Sequence, residues 1–282
     1  MEKVTVLLAT YNGERYLSEL LESLITQTYQ NFEIVIHDDG STDMTNFIVE
    51  SYRTKYGEKI RVINDDVFFG DARLNFFHLL KFVETPYIMF CDQDDVWLPD
   101  KIELTIFRMR ALENTYKNIP IVVHTDLRVV DERLQLIAHS MFKYQKLFKN
   151  QSLAETFVRN NVTGCTMMIN IHAFHCINPM QSQAMMHDWW IALKVLANQG
   201  IVCFLDKPTI LYRQHGRNNV GVCKFGLFRL IKRSRLFDSR RKIFFQKMVE
   251  QANQIDSSTT AFKLRLLQFK LALSVLFMKR EQ

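Results

Sequence analysis

The sequence predicts an α/β domain, a mostly parallel central sheet flanked by helices, with an α-helical C-terminal appendage. Three observations carry this reading. Apolar strand-like runs alternate with helix-periodic stretches through the first hundred residues, the order expected of a parallel sheet covered on both faces. Those runs are apolar almost without interruption, as strands buried on both sides are. Charge then divides the chain: from Gly216 to Gln282 there are fifteen Lys/Arg against four Asp/Glu, a net of +11, while the whole chain carries +6 and residues 1–215 therefore −5. The boundary falls near Gly216, giving a mildly acidic body over 1–216 and a basic helical region over 217–282.

"VTVLLA" (4–9) opens the chain as a buried strand. "GERYLSELLESLITQ" follows with Leu17, Leu20, Leu21, Leu24 and Ile25 at helical spacing. "FEIVIHD" (32–38) is the second strand, and "TDMTNFIVESYRTKYG" is a helix that Gly57 ends. "IRVIND" (60–65) is the third strand, residues 71–83 a further helix, and "YIMFCD" (87–92) the fourth strand, running into an amphipathic helix. The second half is less regular. Strands are expected over 119–131 and 161–170, a helix over 187–200 ending at Gly200, and two short strands, "IVCFLD" and "TILYRQH". Beyond Gly216 strand signals stop, and "FGLFRLIKRSRLF" and "AFKLRLLQFKLALSVLFMKR" read as basic amphipathic helices.

Two acidic clusters, "HDDGSTD" and "CDQDDVW", sit where strands two and four end. In open α/β sheets that edge is where ligands bind. No GxGxxG or GxxxxGK[ST] follows any strand, and the first turn is "TYNGERY", so a glycine-rich phosphate loop is excluded. Carboxylates repel phosphate, but they can hold a hard divalent cation that bridges to it. Oxygen ligands favour Mg²⁺ or Mn²⁺ over zinc.

"VTVLLATYNGERYL", "VIHDDGSTD" and "FCDQDDVWLPDKI", in this order, resemble family 2 glycosyltransferases of the GT-A fold over about residues 3–215. "DQDDVW", "HDWW" and "YRQHGRN" further resemble the bacterial rhamnosyltransferase-like subgroup. The resemblance implies residue roles. Thr10, Tyr11, Asn12, Asp38 and Asp39 match positions that bind the pyrimidine base and ribose of a UDP- or dTDP-sugar. "DQDD" matches the DxD region: Asp92 nearest the ribose, Asp94 the main metal ligand, Asp95 a ligand or orienter. Asp188 matches the general base and His215 a third contact to metal or diphosphate. The implied enzyme is a metal-dependent (Mn²⁺ or Mg²⁺) inverting hexosyltransferase with a glucose- or rhamnose-type donor. Its acceptor is a growing glycan on lipid or protein, in bacterial surface polysaccharide or glycoprotein synthesis.

Each feature has a plainer structural reading. Asp43 is expected to cap the second helix and Asp100 to serve the helix after Pro99. Trp189 and Trp190, beside Asp188, are expected to limit water and offer faces on which sugars stack, while the plainer reading of Trp97 and Trp190 is core packing. The basic tail either covers the body with its apolar faces, attaches to an anionic membrane surface, or grips an acceptor or second copy. No motif supports nucleic-acid binding. No segment reaches the roughly 18–20 apolar residues of a membrane span. Met1-Glu2-Lys3 leads straight into a strand, so no signal peptide is expected. Five scattered cysteines without a CxxC pair read as free thiols of a cytoplasmic protein, peripheral at most to the inner face of the plasma membrane. The rival reading is a non-catalytic nucleotide-sugar binding or scaffold protein with a membrane-associating tail.

Overall fold

The computed structural model describes residues 2–177, 184–216 and 239–277. Four parallel strands form one half of the sheet: β1 (Val4–Thr10), β2 (Phe32–Asp38), β3 (Ile60–Ile63) and β4 (Tyr87–Cys91), in the spatial order β3-β2-β1-β4. Helices α1 (Leu17–Ile25), α2 (Thr45–Tyr56) and α3 (Ala72–Leu79) make the crossovers. Gly57 ends α2 at φ +54°, a backbone conformation that glycine adopts without penalty. The side chains of β1 alternate between two apolar layers. Val4, Val6 and Leu8 pack with Leu17, Leu20, Leu21 and Leu24 of α1, whereas Leu7 packs on the other face with Phe76 and Leu79 of α3. Burial on both faces is why these strands lack the polar alternation of a one-sided sheet.

The second half mixes directions. After the two-residue strand β5 (Val96–Trp97) and helix α4 (Lys101–Thr115), strand β6 (Ile121–Val130) does not join β4. It leaves a slot that β8 (Met167–Asn170) fills, antiparallel to both. β9 (Ile201–Arg213) then runs parallel to β6, and β5 pairs antiparallel with β9. β7 (Leu136–Ala138) pairs with β6 off this path. The two short strands expected at 201–215 are one thirteen-residue strand. Pro208, which reads as a break, is absorbed by a register shift opposite Asp126, the way a ladder accommodates a residue without an N–H. The strand expected over 161–170 is strand only at its end, because residues Gly164–Thr166 form a 3-10 turn. Helices α5 (Met141–Gln145), α6 (Leu153–Val158) and α7 (Ile171–Ile177) are too short for periodicity to announce.

Helix α8 (His187–Ala197) packs Trp190, Ile191 and Val195 into the second layer. Of the appendage, α9 (Ser239–Ile255) and α10 (Ala261–Phe277) are described; the basic helix expected at 225–237 lies outside the described residues. Met248 and Ala252 of α9 and Leu264 and Leu271 of α10 cover Phe157 and Val158 of α6 and Trp189 and Leu193 of α8. Gln251 reinforces this contact, its Oε1 accepting from the backbone N–H of Met185 at 2.7 Å. Apolar faces of the tail thus cover the body. No helix among the described residues is long and apolar enough to cross a membrane.

Candidate active site

The carboxyl ends of β1, β2 and β4 lie side by side, and their loops interlock. Thr10 ends β1 and donates its hydroxyl to Asp38 Oδ2 at 2.8 Å. Asp38 also accepts from the backbone N–H of Ser41 at 2.7 Å and its hydroxyl at 2.6 Å, the local turn that aspartate favours. Asn12, at φ +46°, donates its N–H to Ser41 Oγ and accepts from Thr42 N–H on its Oδ1. Asp43 accepts from the backbone N–H and hydroxyl of Thr45, so it caps the start of α2 as expected. Asp39, 7% exposed, accepts the backbone N–H of Phe69. Asp38 therefore shapes the loop, and Tyr11 is the member with an open face, at 55% exposure.

Gln93, inside the second acidic motif, clamps that tyrosine. Its Oε1 accepts the Tyr11 N–H and its Nε2 donates to the Tyr11 carbonyl, both at 2.8 Å. The close approach needs Gly13: a Cβ there would stand 2.4 Å from Gln93 Oε1. One amide thus couples the loop of β1 to the loop of β4.

The three aspartates after β4 divide their work. Asp92 is partly covered, and its carboxyl is pushed up to about 7 by burial, then by repulsion from Asp94 and Asp188. Asp94 faces His215, with Oδ2 2.7 Å from Nε2. Asp95 is fully buried and accepts the Arg213 N–H at 3.1 Å. Burial keeps Asp95 from solvent. The same burial, with repulsion from Asp94 and Asp92, raises its carboxyl well above the usual range. Arg213, 3% exposed, holds the cluster from behind. Its Nε donates to the Asp94 carbonyl and Nη1 to the Glu132 carbonyl, both at 2.8 Å, and Nη2 pairs with Glu19. Its guanidinium lies 4.5 Å from the centre of the Tyr16 ring, which also packs on His215.

Beneath the carboxylates, Cys165 brings its Sγ within 4.8 Å of ligand oxygens of Asp92 and Asp95. Burial, then the nearby charges of Asp95 and Asp92, hold this thiol well above its ordinary pKa, so it stays protonated beside the two acids. Lys101, completely buried, places its ammonium 4.5 Å from the centre of the Trp97 ring. Burial lowers its pKa to about 8, while Cys165, Cys91 and Asp95 oppose that shift. Carboxylates that raise one another's pKa form a site short of positive charge. Asp94 and His215 offer one O,N pair, whereas the ligand oxygen of Asp92 converges within 4.8 Å with Asp95 and Cys165 rather than with that pair; the carboxylate oxygens are of the kind that suits Mn²⁺ or Mg²⁺.

Asp188 stands in the first turn of α8, 9% exposed. Gly164 N–H donates to its Oδ2 at 3.0 Å and Trp189 N–H to its Oδ1 at 2.6 Å. Burial pushes its carboxyl up to about 6, and the two N–H bonds limit the rise. Its charge is felt at Asp92, so the two carboxyls are neighbours. Gly164 is required here too, since a Cβ would stand 2.4 Å from His187 Nε2. His187 is buried between Phe76 and Phe90, which drives its pKa down to about 3 and keeps the ring neutral.

Two expectations are corrected. Trp189 donates its Nε1–H to the Thr156 carbonyl and Trp190 is 1% exposed, so both are core and present no face to a sugar. Asp100 occupies the cap position of α4, but its side chain makes no capping bond. Sequence reasoning missed Gln93, Arg213, Cys165 and Lys101. Gln93 and Arg213 lie inside the quoted motifs, whereas Cys165 carries no local signal.

The family model for glycosyl transferase family 2 matches residues 5–177. The dTDP-rhamnosyl transferase RfbG of Shigella flexneri is 33% identical over 76% of this chain and 73% of its own length. An uncharacterized glycosyltransferase of Rickettsia felis is 29% identical over 61% of the chain, which spans only 27% of that relative. Among solved structures, TarS of S. aureus superposes with a TM-score of 0.61 at 20% identity, over 99% of this chain and 44% of TarS. Its 1–349 fragment with UDP-GlcNAc gives 0.58 at 23%, over 91% and 73%. The mannosyltransferase PcManGT of Pyrobaculum calidifontis gives 0.58 at 14%, over 94% and 68%. These likenesses show the GT-A fold. With the family model and the Shigella relative, they establish that this chain belongs to glycosyl transferase family 2 and is a glycosyltransferase.

Proposed function

We propose that the chain transfers a hexose from a UDP- or dTDP-sugar to a hydroxyl of a growing glycan, inverting the anomeric carbon. The observation that carries this reading is the buried carboxyl of Asp188, whose charge reaches Asp92, itself a neighbour of the Asp94–His215 pair. Asp188 is buried enough to hold a proton near pH 6, yet ionised at neutral pH. That is the range of an effective general base.

Thr10, Tyr11 and Asn12, with Asp38 and Asp39, form the loop pair that receives the base and ribose. A carboxylate opposite a pyrimidine N–H makes a charge-assisted acceptor. Asp92 lies next to the ribose. Asp94 and His215, with Asp92, would hold Mn²⁺ or Mg²⁺, and such an ion would supply positive charge to offset that building on the departing diphosphate. The acceptor oxygen attacks the anomeric carbon opposite the breaking bond to diphosphate, and its proton passes to Asp188. A diphosphate-sugar donor is supported by the printed descriptions of similar proteins: a dTDP-rhamnosyl transferase, a UDP-GlcNAc complex, and a GDP-Man and Mn²⁺ complex. A teichoic acid poly(glycerol phosphate) polymerase of Staphylococcus epidermidis, 39% identical over 34% of the chain and 13% of that polymerase, supports a cell-surface glycan acceptor. We place the enzyme in the cytoplasm, with basic residues of 217–282 available for peripheral contact with the inner membrane face.

A thermal-shift screen of UDP-, dTDP- and GDP-sugars, with and without Mn²⁺, tests the donor. The expected result is stabilisation by a pyrimidine diphosphate-sugar that weakens in EDTA. A chain stabilised by none of them refutes the donor reading; stabilisation undiminished by EDTA refutes the metal role. The non-catalytic alternative predicts that Asp188→Asn keeps full function.

A further inference from the structure

A second group of metal-ligating side chains lies on the α3 face of the sheet, away from the carboxylate cluster. His37 comes from the end of β2, Asp65 from the loop after β3 and His78 from α3. One ligand atom of each lies within 4.8 Å of the others. His37 and His78 are buried, and Asp65 reaches solvent with 29% of its side chain exposed.

The hydrogen bonds around His37 fix its tautomer. Asn75 donates its Nδ2 to the His37 carbonyl, which turns its Oδ1 toward His37 Nδ1 at 2.8 Å. Nδ1 must therefore carry the hydrogen. In the neutral ring, which has one N–H, Nε2 then keeps a lone pair, 3.3 Å from Asp65 Oδ1. A lone pair facing a carboxylate oxygen is repulsive unless a cation lies between them. A proton or a metal ion can fill that gap, and the 3.3 Å separation admits either. A charge-assisted N–H···O⁻ bond to a proton spans about 2.7–2.9 Å. Two ligands on a tetrahedral zinc, each about 2.0 Å from the metal, stand about 3.3 Å apart. The third donor, His78 Nε2, lies 2.5 Å from Asp65 Oδ2 and opens by less than about 1 Å to the same separation.

We propose that His37 Nε2, Asp65 and His78 Nε2 form a site for a zinc-type divalent ion, whose open position faces solvent beside Asp65. Two imidazoles and one carboxylate are a zinc donor set, distinct from the oxygen-rich set that suits Mg²⁺. Asn75 supplies the outer-shell bond that orients the His37 ligand. His78 Nδ1 has no such partner among its neighbours Phe69 and Phe82, so the site binds about 10- to 100-fold more weakly than one with both histidines anchored. Phe69 connects the site to the nucleotide loop, its ring packing on both histidines and its N–H donating to Asp39. The ion would tie β2, the loop after β3 and α3 together behind that aspartate. The proposal does not rest on the identity of the donor.

Cobalt(II) titration of the full chain, followed by visible absorption and competition with zinc, tests this. The expected result is one ion with tetrahedral-type bands, no thiolate charge-transfer band, and displacement by zinc. Binding should persist in Asp94→Asn and weaken at least tenfold in Asp65→Asn. Asp65 is the partly exposed ligand, so this variant should fold; its circular dichroism and thermal midpoint in EDTA are measured alongside. Absence of cobalt bands in the wild type overturns the proposal, as does a signal unchanged in Asp65→Asn. A thiolate band would assign the ion to Cys165 and overturn it equally.

Discussion

Replacing Asp188 by Asn should separate what this side chain does for turnover from what it does to stability. Burial pushes its carboxyl up to about 6 in the folded protein from an ordinary value near 3.8. The folded pKa is the higher one, so the native state binds the proton more tightly than the unfolded chain. The stabilising term is complete below about pH 3.8 and is lost as pH rises through about 6. A shift of roughly two pKa units corresponds to about 3 kcal/mol. At neutral pH the wild type therefore carries a buried charge that costs about 3 kcal/mol. The asparagine lacks that charge. It also leaves one of the Gly164 and Trp189 N–H donors facing an amide NH₂, which costs about 1–3 kcal/mol at every pH. The pH dependence comes from the buried charge of Asp188 and from Asp92, whose carboxyl that charge helps to raise. The stability of the variant relative to wild type should rise by about 2–3 kcal/mol between about pH 4 and pH 7, read by urea denaturation at each pH. Turnover should fall about 10²- to 10⁴-fold, as loss of a general base predicts, while donor affinity is kept. In the wild type, kcat/KM should decline as pH falls through about 6 because the base becomes protonated. A variant with near-normal turnover refutes the base assignment; a stability difference that does not move with pH refutes the buried charge.

Gly13→Ala forces Gln93 off Tyr11 and removes two hydrogen bonds of about 1 kcal/mol each, so KM for the donor should rise about tenfold or more with kcat little changed; an unchanged KM counts against the clamp. Arg213→Lys loses the fork that reaches the Asp94 and Glu132 carbonyls, and should lower stability by about 2–4 kcal/mol together with activity. Full activity with a normal unfolding midpoint would show that the guanidinium does not organise the cluster. Trp189→Ala empties the contact between α8 and the appendage, and a loss of about 3–5 kcal/mol is expected by urea denaturation. A loss below about 1 kcal/mol would mean that the tail helices do not depend on this face.

The first four strands and their crossover helices are legible from the sequence, because burial on both faces demands unbroken apolar runs and the helices between them repeat every 3.6 residues. The carboxylate motifs are legible for a related reason: each follows a strand directly, so chain order alone puts it at the sheet edge. The second half resists the same reading. β5 has two residues and β7 three, too few to show a period, and β8 enters the sheet in a slot left between strands that are consecutive in neither space nor sequence.

What the sequence determined by itself was the alternation of elements and the placing of Asp38, Asp39, Asp92 and Asp94 at the carboxyl ends of strands and of Asp188 at the start of a helix. Tertiary structure decided which of them face the cleft and which support it. Asp95 turns inward onto the Arg213 backbone 118 residues away, Gln93 reaches Tyr11 across 82, and Gly164 meets Asp188 across 24. The physical reason is that burial and hydrogen-bond partners set the charge and direction of an aspartate, and those partners are assembled only when distant segments close on one another.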